Sequence, residues 1–218
     1  MTIPDAIIFD LDGTLIHSAP DLQAAANVAL AALDRAPLDL ETTISFIGNG
    51  VEKLVERALK ATGAFNDNLQ ADALALFLQS YEQNMTTLTR PYPGVVACLE
   101  SLRAAGVPLG VCTNKPTEPA RRICAELGLT QYFDVIVGAE PNVVKKPDPA
   151  PLLGCISDLG ATPDNSIYVG DSGVDFQTAR NAAVPFWLFS GGYLNGKALD
   201  VLAADCFSDW TKADFLNR

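Results

Sequence analysis

From Pro91 to Phe189 short apolar runs alternate with segments of helical periodicity, and few architectures accept that pattern. Val95, Leu99 and Leu102 ahead of Gly106 predict a helix, and Leu109 to Cys112 a strand. Ala120, Ile123, Cys124 and Leu127 ahead of Gly128 predict the next helix, and Val135 to Val137 the next strand. A helix stopping at Gly160, a strand at Ile167 to Val169, a helix through Ala179 and a strand at Pro185 to Phe189 complete the series. Strands separated by helices lie parallel, so the pattern implies a doubly wound α/β sheet with its site at the carboxyl ends of the strands.

One more strand precedes this series. Ala6 to Phe9 is a continuous apolar run of the kind buried on both faces, and it enters Asp10-Leu11-Asp12-Gly13, where the glycine permits a sharp turn. Between it and Pro91 the periodicity is helical. Leu22, Ala26, Ala29 and Leu33 share one face, as do Val51, Leu54, Val55, Ala58 and Leu59 ahead of Gly63, and Leu69, Ala73, Phe77 and Tyr81. The expected organisation is an α/β core of residues 1–16 and 89–218, with a helical domain of residues 17–88 inserted after the first strand.

Composition narrows the partners. The formal net charge is −11, which repels nucleic acid and anionic membranes, so an anionic small substrate needs a local cation. No apolar stretch has the length of a membrane span, and the acidic amino terminus lacks the features of a secretion signal, so a cytoplasmic protein is expected. The five cysteines form no C-x-x-C pair and are expected to be reduced. A monomer and a homodimer are both compatible with the sequence.

Several polar residues fall at expected strand ends. Asp10 and Asp12 follow the first strand, Thr113-Asn114 the Leu109 strand, and Gly170-Asp171-Ser172 the Ile167 strand, with Asp175 one helical turn on. Lys146-Pro147 lies beyond the Val135 strand. Together they offer a nucleophile beside a general acid, carboxylates for a metal, a hydroxyl and amides for phosphate, and a fixed cation.

The set resembles the haloacid dehalogenase (HAD) type of phosphatase. Phe9-Asp10-Leu11-Asp12-Gly13-Thr14-Leu15, Thr113-Asn114-Lys115, Lys146-Pro147 and Gly170-Asp171-Ser172-Gly173-Val174-Asp175 are similar to that family's four motifs, in its order. The resemblance implies a HAD-like, Rossmannoid core, and makes the helical insert a cap that closes over the site. It implies Asp10 as nucleophile, Asp12 as acid and then base, and Thr113, the Asn114 amide and Lys146 on the phosphate. It also implies Mg2+ held by Asp10, the Asp12 carbonyl and Asp171, with Asp175 close by. His17 to Leu22, Phe46 to Gly50 and Arg90 to Val95 resemble the phosphoglycolate phosphatase subgroup, which makes 2-phosphoglycolate the expected substrate. The sequence departs from that subgroup at His17, where an acid is usual, and at Ala183, where a glycine often stands.

Gly48-Asn49-Gly50 opens a helix and offers amides to a substrate carboxylate, or simply caps that helix. Lys53 and Arg57, one turn apart, are expected to be solvated charges. A broader sugar-phosphate phosphatase, a phosphomutase and a silent binding protein are the competing readings. Gly191 to Gly196 followed by Lys197 nearly spells a nucleotide phosphate loop, but Ala198 lacks the hydroxyl that magnesium needs there.

Overall fold

The computed structural model describes residues 3–194 and 205–216. The chain forms two compact units, Met1–His17 with Pro91–Arg218, and Ser18–Arg90. The crossings fall one residue beyond the expected 16/17 boundary and two beyond 88/89. They are marked by the short strands β2 (Ile16–His17) and β3 (Arg90–Pro91).

In the first unit, β1 (Ala6–Phe9), β4 (Leu109–Pro116), β5 (Val135–Ala139), β6 (Ser166–Gly170), β7 (Phe186–Phe189) and β8 (Asp205–Phe207) form one sheet. Among the described residues its order is β5-β4-β1-β6-β7-β8, and every pairing is parallel. The first strand in sequence therefore lies in the middle, in register with Leu109 to Val111 on one side and Ser166 to Val169 on the other. All four of its residues are fully buried, which suits an apolar run without alternation.

Its side chains divide between the faces. Ala6 and Ile8 join a core with Leu152, Cys155 and Ile156 of α7 (Ala150–Asp158) and Ala179 of α8 (Gly173–Ala182). Phe9 meets Phe133, Trp210 and Phe215 on the other side, at ring-centroid distances of 6.3, 6.0 and 6.3 Å. Burying such side chains contributes about 1.5–3 kcal/mol each, enough to fix the pleat of β1 and the direction in which it delivers Asp10. The helices α5 (Val95–Ala104) and α6 (Thr117–Glu126), with α7, stop ahead of Gly106, Gly128 and Gly160, whose φ values of 78°, 69° and 69° supply left-handed exits.

The second unit consists of α1 (Ala19–Ala32), α2 (Leu40–Phe46), α3 (Val51–Thr62) and α4 (Asp67–Asn84). Leu54, Val55, Leu59, Ala73 and Phe77 are buried, and α1 packs chiefly on α4. The Asp21 carboxylate accepts from the Leu88 and Thr89 amides and the Thr89 hydroxyl at 2.7–3.0 Å, tying the first turn of the unit to its end. No helix among the described residues is long and apolar enough to cross a membrane.

Candidate active site

Asp10, immediately beyond β1, is 7% exposed, and its amide donates to Val169 O of the neighbouring strand. Asp171 leaves β6, 1% exposed. Asp175 is fully buried three residues into α8, where it forms a reciprocal cap with Ser172: the Ser172 hydroxyl and amide donate to Oδ2 at 2.6 and 3.1 Å. Carboxylate oxygens of Asp10, Asp171 and Asp175 all lie within 4.8 Å of one another. Gly13 permits this crowding, because at its φ of 91° a β-carbon would collide with the Asp171 carboxylate and Tyr193.

Lys146 enters the cluster from the segment after β5. Although a lysine before proline is usually solvated, this one is 4% exposed. Its ammonium donates to Asp10 Oδ1 at 2.8 Å, Asp175 Oδ1 at 2.6 Å and the Tyr168 hydroxyl at 2.8 Å. Asn114 Nδ2 holds the Lys146 carbonyl at 3.0 Å, so the side chain of one expected phosphate-binding residue positions another. Thr113, 5% exposed in β4, accepts the Lys115 amide at 3.2 Å.

Electrostatics follow from burial. Removal from water pushes Asp10 up, Lys146 pulls it back and Asp175 pushes it further, leaving it at about 6. Burial, then Asp175 and Asp10, drive Asp171 well above the carboxylate range, against the Thr14 hydroxyl and the Tyr193 amide that each donate to it at 2.6 Å. Burial alone would lower Lys146, but Asp10 and Asp175 outweigh it and hold the ammonium above the lysine range. Three carboxylates against one ammonium leave a deficit of positive charge, and all the offered donors are hard oxygens. That is the donor chemistry of a small divalent cation such as Mg2+.

The oxygens are not equally available to it. Asp175 accepts from Lys146, Tyr168 and, twice, Ser172, whereas among the described residues Asp171 Oδ1 accepts from the Thr14 hydroxyl and Oδ2 from the Tyr193 amide. Asp171 and Asp10 are therefore the better placed to hold a metal, and Asp175 to hold Lys146.

Asp12 does not join this cluster. Its carboxylate meets Lys115, whose ammonium lies 3.2 and 3.0 Å from the two oxygens. Lys115, Tyr168 and Thr14 carry no role expected from sequence. Lys115 stands beside Thr113-Asn114 in the second motif, which is the available signal; Tyr168 offers none beyond its place in an apolar strand.

Gly48, Asn49 and Gly50 lie in the helical unit ahead of α3, with φ of 112° and 90° at the two glycines. Arg57 is not a solvated charge: it donates to Phe46 O at 2.9 Å and to Asn49 Oδ1 at 2.8 Å, bracing that loop from α3. Lys53 is exposed and pairs with Glu56. His17 Nδ1 lies 2.9 Å from the Tyr193 hydroxyl, and burial lowers its pKa. The cysteines that are described, Cys98, Cys112, Cys124, Cys155 and Cys206, are free. Of the near phosphate loop, Asn195 to Ala198 lie outside the described residues.

A family model described as haloacid dehalogenase-like hydrolase matches residues 7–189. A phosphoglycolate phosphatase of Cereibacter sphaeroides is 46% identical over 188 residues, covering 86% of this chain and 85% of its own length. One from Rhodospirillum rubrum is 41% identical over 213 residues, 95% of this chain and 88% of the relative. The crystal structure of a predicted phosphoglycolate phosphatase from Haemophilus somnus 129pt superposes with a TM-score of 0.91 at 30% identity, covering 97% of this chain and 96% of that one.

Proposed function

Because the chain belongs to the haloacid dehalogenase-like hydrolases and is a phosphomonoester hydrolase, we propose that it cleaves 2-phosphoglycolate to glycolate and phosphate, with Asp10 as nucleophile. The observation that carries this reading is the Lys146 ammonium lodged between Asp10 and Asp175 beside Asp171. A fixed cation at the nucleophile draws the anionic phosphoryl group in and keeps the carboxylate ionised and oriented.

An Asp10 oxygen attacks phosphorus in line, forming an aspartyl phosphate as the bond to the glycolate oxygen breaks. Asp12 protonates that departing oxygen. It then takes a proton from the water that attacks the aspartyl phosphate, and inorganic phosphate leaves with the Asp10 carboxylate restored. Thr113, the Asn114 amide and Lys146 bind the phosphoryl oxygens. Mg2+, held by Asp10, the Asp12 carbonyl and Asp171, would supply charge that screens the nucleophile from the phosphate. Asp175 serves the reaction by anchoring Lys146.

The Gly48-Asn49-Gly50 loop is proposed to receive the substrate carboxylate through its backbone amides. Since both glycines have positive φ, replacing them would strain the loop whatever they bind, so the probe is Asn49→Ala, which keeps the backbone amides but releases the Arg57 brace that holds them in place. Comparing kcat/KM for 2-phosphoglycolate, sugar phosphates and p-nitrophenyl phosphate tests the assignment. A marked preference for 2-phosphoglycolate, weakened for that substrate alone by Asn49→Ala, is expected. Equal rates on sugar phosphates would make this a broader phosphatase, and transfer of phosphate between sugar hydroxyls a mutase.

A further inference from the structure

The two aspartates of the Asp10-Leu11-Asp12 segment each have their own lysine. Lys146 serves Asp10 at 2.8 Å, and Lys115 serves Asp12 at 3.0 Å. We propose that Lys115 is a positioning residue for catalysis: by holding both carboxylate oxygens of Asp12 it fixes the orientation in which that group meets the leaving oxygen and later the water. The proposal rests on Asp12 serving as the acid and base of the reaction.

Three features carry it. The Lys115 ammonium is nearly equidistant from the two oxygens, at 3.2 and 3.0 Å, and a donor straddling a carboxylate restrains rotation of its plane as well as its position. The pair is enclosed: side-chain exposure is 4% for Lys115 and 14% for Asp12. Burying an ammonium carries a desolvation cost that an apolar side chain of similar length does not, so a lysine here has to be offset by a specific interaction. The backbone under Lys115 is also set. Its pairing with β5 shifts register between Cys112 and Pro116, and the bare α-carbon of Gly138 lies so close to the Lys115 carbonyl that no side chain fits between them. The irregular end of β4 thus aims the lysine, and the lysine aims Asp12, 103 residues earlier in the chain.

A lysine bound to both oxygens holds the Asp12 carboxylate at a defined place and in a defined plane. Positioning of this kind acts on turnover more than on binding.

The test is a cycle of Lys115→Met, Asp12→Asn and the double variant, with 2-phosphoglycolate and p-nitrophenyl phosphate as substrates. The phenol leaves readily, so a measurable rate remains without Asp12. Lys115→Met is expected to lower kcat about tenfold or more with KM changed less than about threefold, and to add little in the Asp12→Asn background. Lys115→Arg, which keeps the charge, is expected to recover part of the loss. A raised KM with kcat preserved, or losses that multiply in the double variant, would mean that Lys115 touches the substrate itself and would overturn the proposal. If Asp12→Asn alone left both rates intact, the reading of Asp12 as acid would fall, an outcome separate from any behaviour of Lys115. Should Lys115→Met not fold, Lys115→Gln provides the same cycle with a polar side chain.

Discussion

Lys146 and Asp175, 29 residues apart, meet at 2.6 Å with side chains 2% and 1% exposed, and this contact fastens the segment after β5 to the first turn of α8. It also explains why Asp175 is poorly free to bind a metal directly. The carboxylate is occupied in holding the cation that faces Asp10.

Lys146→Met is therefore expected to do two things. Turnover should be lost, and the fold should weaken by about 3–5 kcal/mol in chelator, because removing one partner leaves buried carboxylates without their counter-charge. Chemical denaturation compared with the parent measures the second effect. A change below about 1 kcal/mol would mean that the cluster is better solvated than its burial indicates.

Asp10→Asn is expected to abolish turnover while stabilising the metal-free protein. The folded-state pKa of Asp10 is raised from 3.8 to about 6, so its contribution to stability is present below the unfolded value and is lost as pH rises through the folded one. An amide has no such loss. The variant should match the parent near pH 4 and exceed it above pH 6, by about 1–3 kcal/mol at most. Activity within about tenfold of the parent would remove Asp10 as nucleophile.

Much of this site could be read from sequence because its parts sit at strand ends, where an apolar run gives way to Asp, Thr or Gly. The burial of β1 and the expected position of Asp171 needed only that pattern. β8 and the seven-residue α2 escaped it, since Asp205–Phe207 and Leu40–Phe46 are too short to display a period. The pairings Asp12–Lys115 and Lys146–Tyr168–Asp175 escaped for a different reason: they join residues brought together only by the sheet order and by an irregular β4 end. The bracing of the Gly48–Gly50 loop by Arg57 belongs with these, because helical spacing alone left that arginine facing water.

Ala183 marks a place where a departure from pattern has a physical cost. It caps α8 with φ of 54° and ψ of 38°, the left-handed conformation that a glycine adopts without strain. Ala183→Gly is expected to stabilise the protein by about 0.5–1 kcal/mol, the relief of strain exceeding the added freedom of the unfolded chain. That corresponds to a rise of about 1–4 °C in Tm, measurable by calorimetry, with kinetics unchanged. A lower Tm would show that the methyl group contributes packing that outweighs its strain.

Metal binding and the charges of Asp10 and Asp171 are coupled. Burial and mutual repulsion raise Asp10 to about 6 and Asp171 further still, so without a cation both hold protons well above the usual carboxylate range. Mg2+ binds ionised oxygens and must displace those protons, which makes its apparent affinity climb as pH rises. The metal-free protein moves the opposite way, losing the contribution of Asp10 between about pH 4 and 6. Since a ligand bound only to the folded state stabilises in proportion to the logarithm of its concentration over its Kd, the gap in Tm between Mg2+ and chelator should be small near pH 5 and wide above pH 7. Asp10→Asn should narrow the gap at the higher pH, because one ligand and its proton competition are both removed. Thermal unfolding of parent and variant across that range, with Mg2+ and with chelator, decides the matter. A gap independent of pH would detach the metal from these two carboxylates, and no gap at any pH would remove Mg2+ from the site.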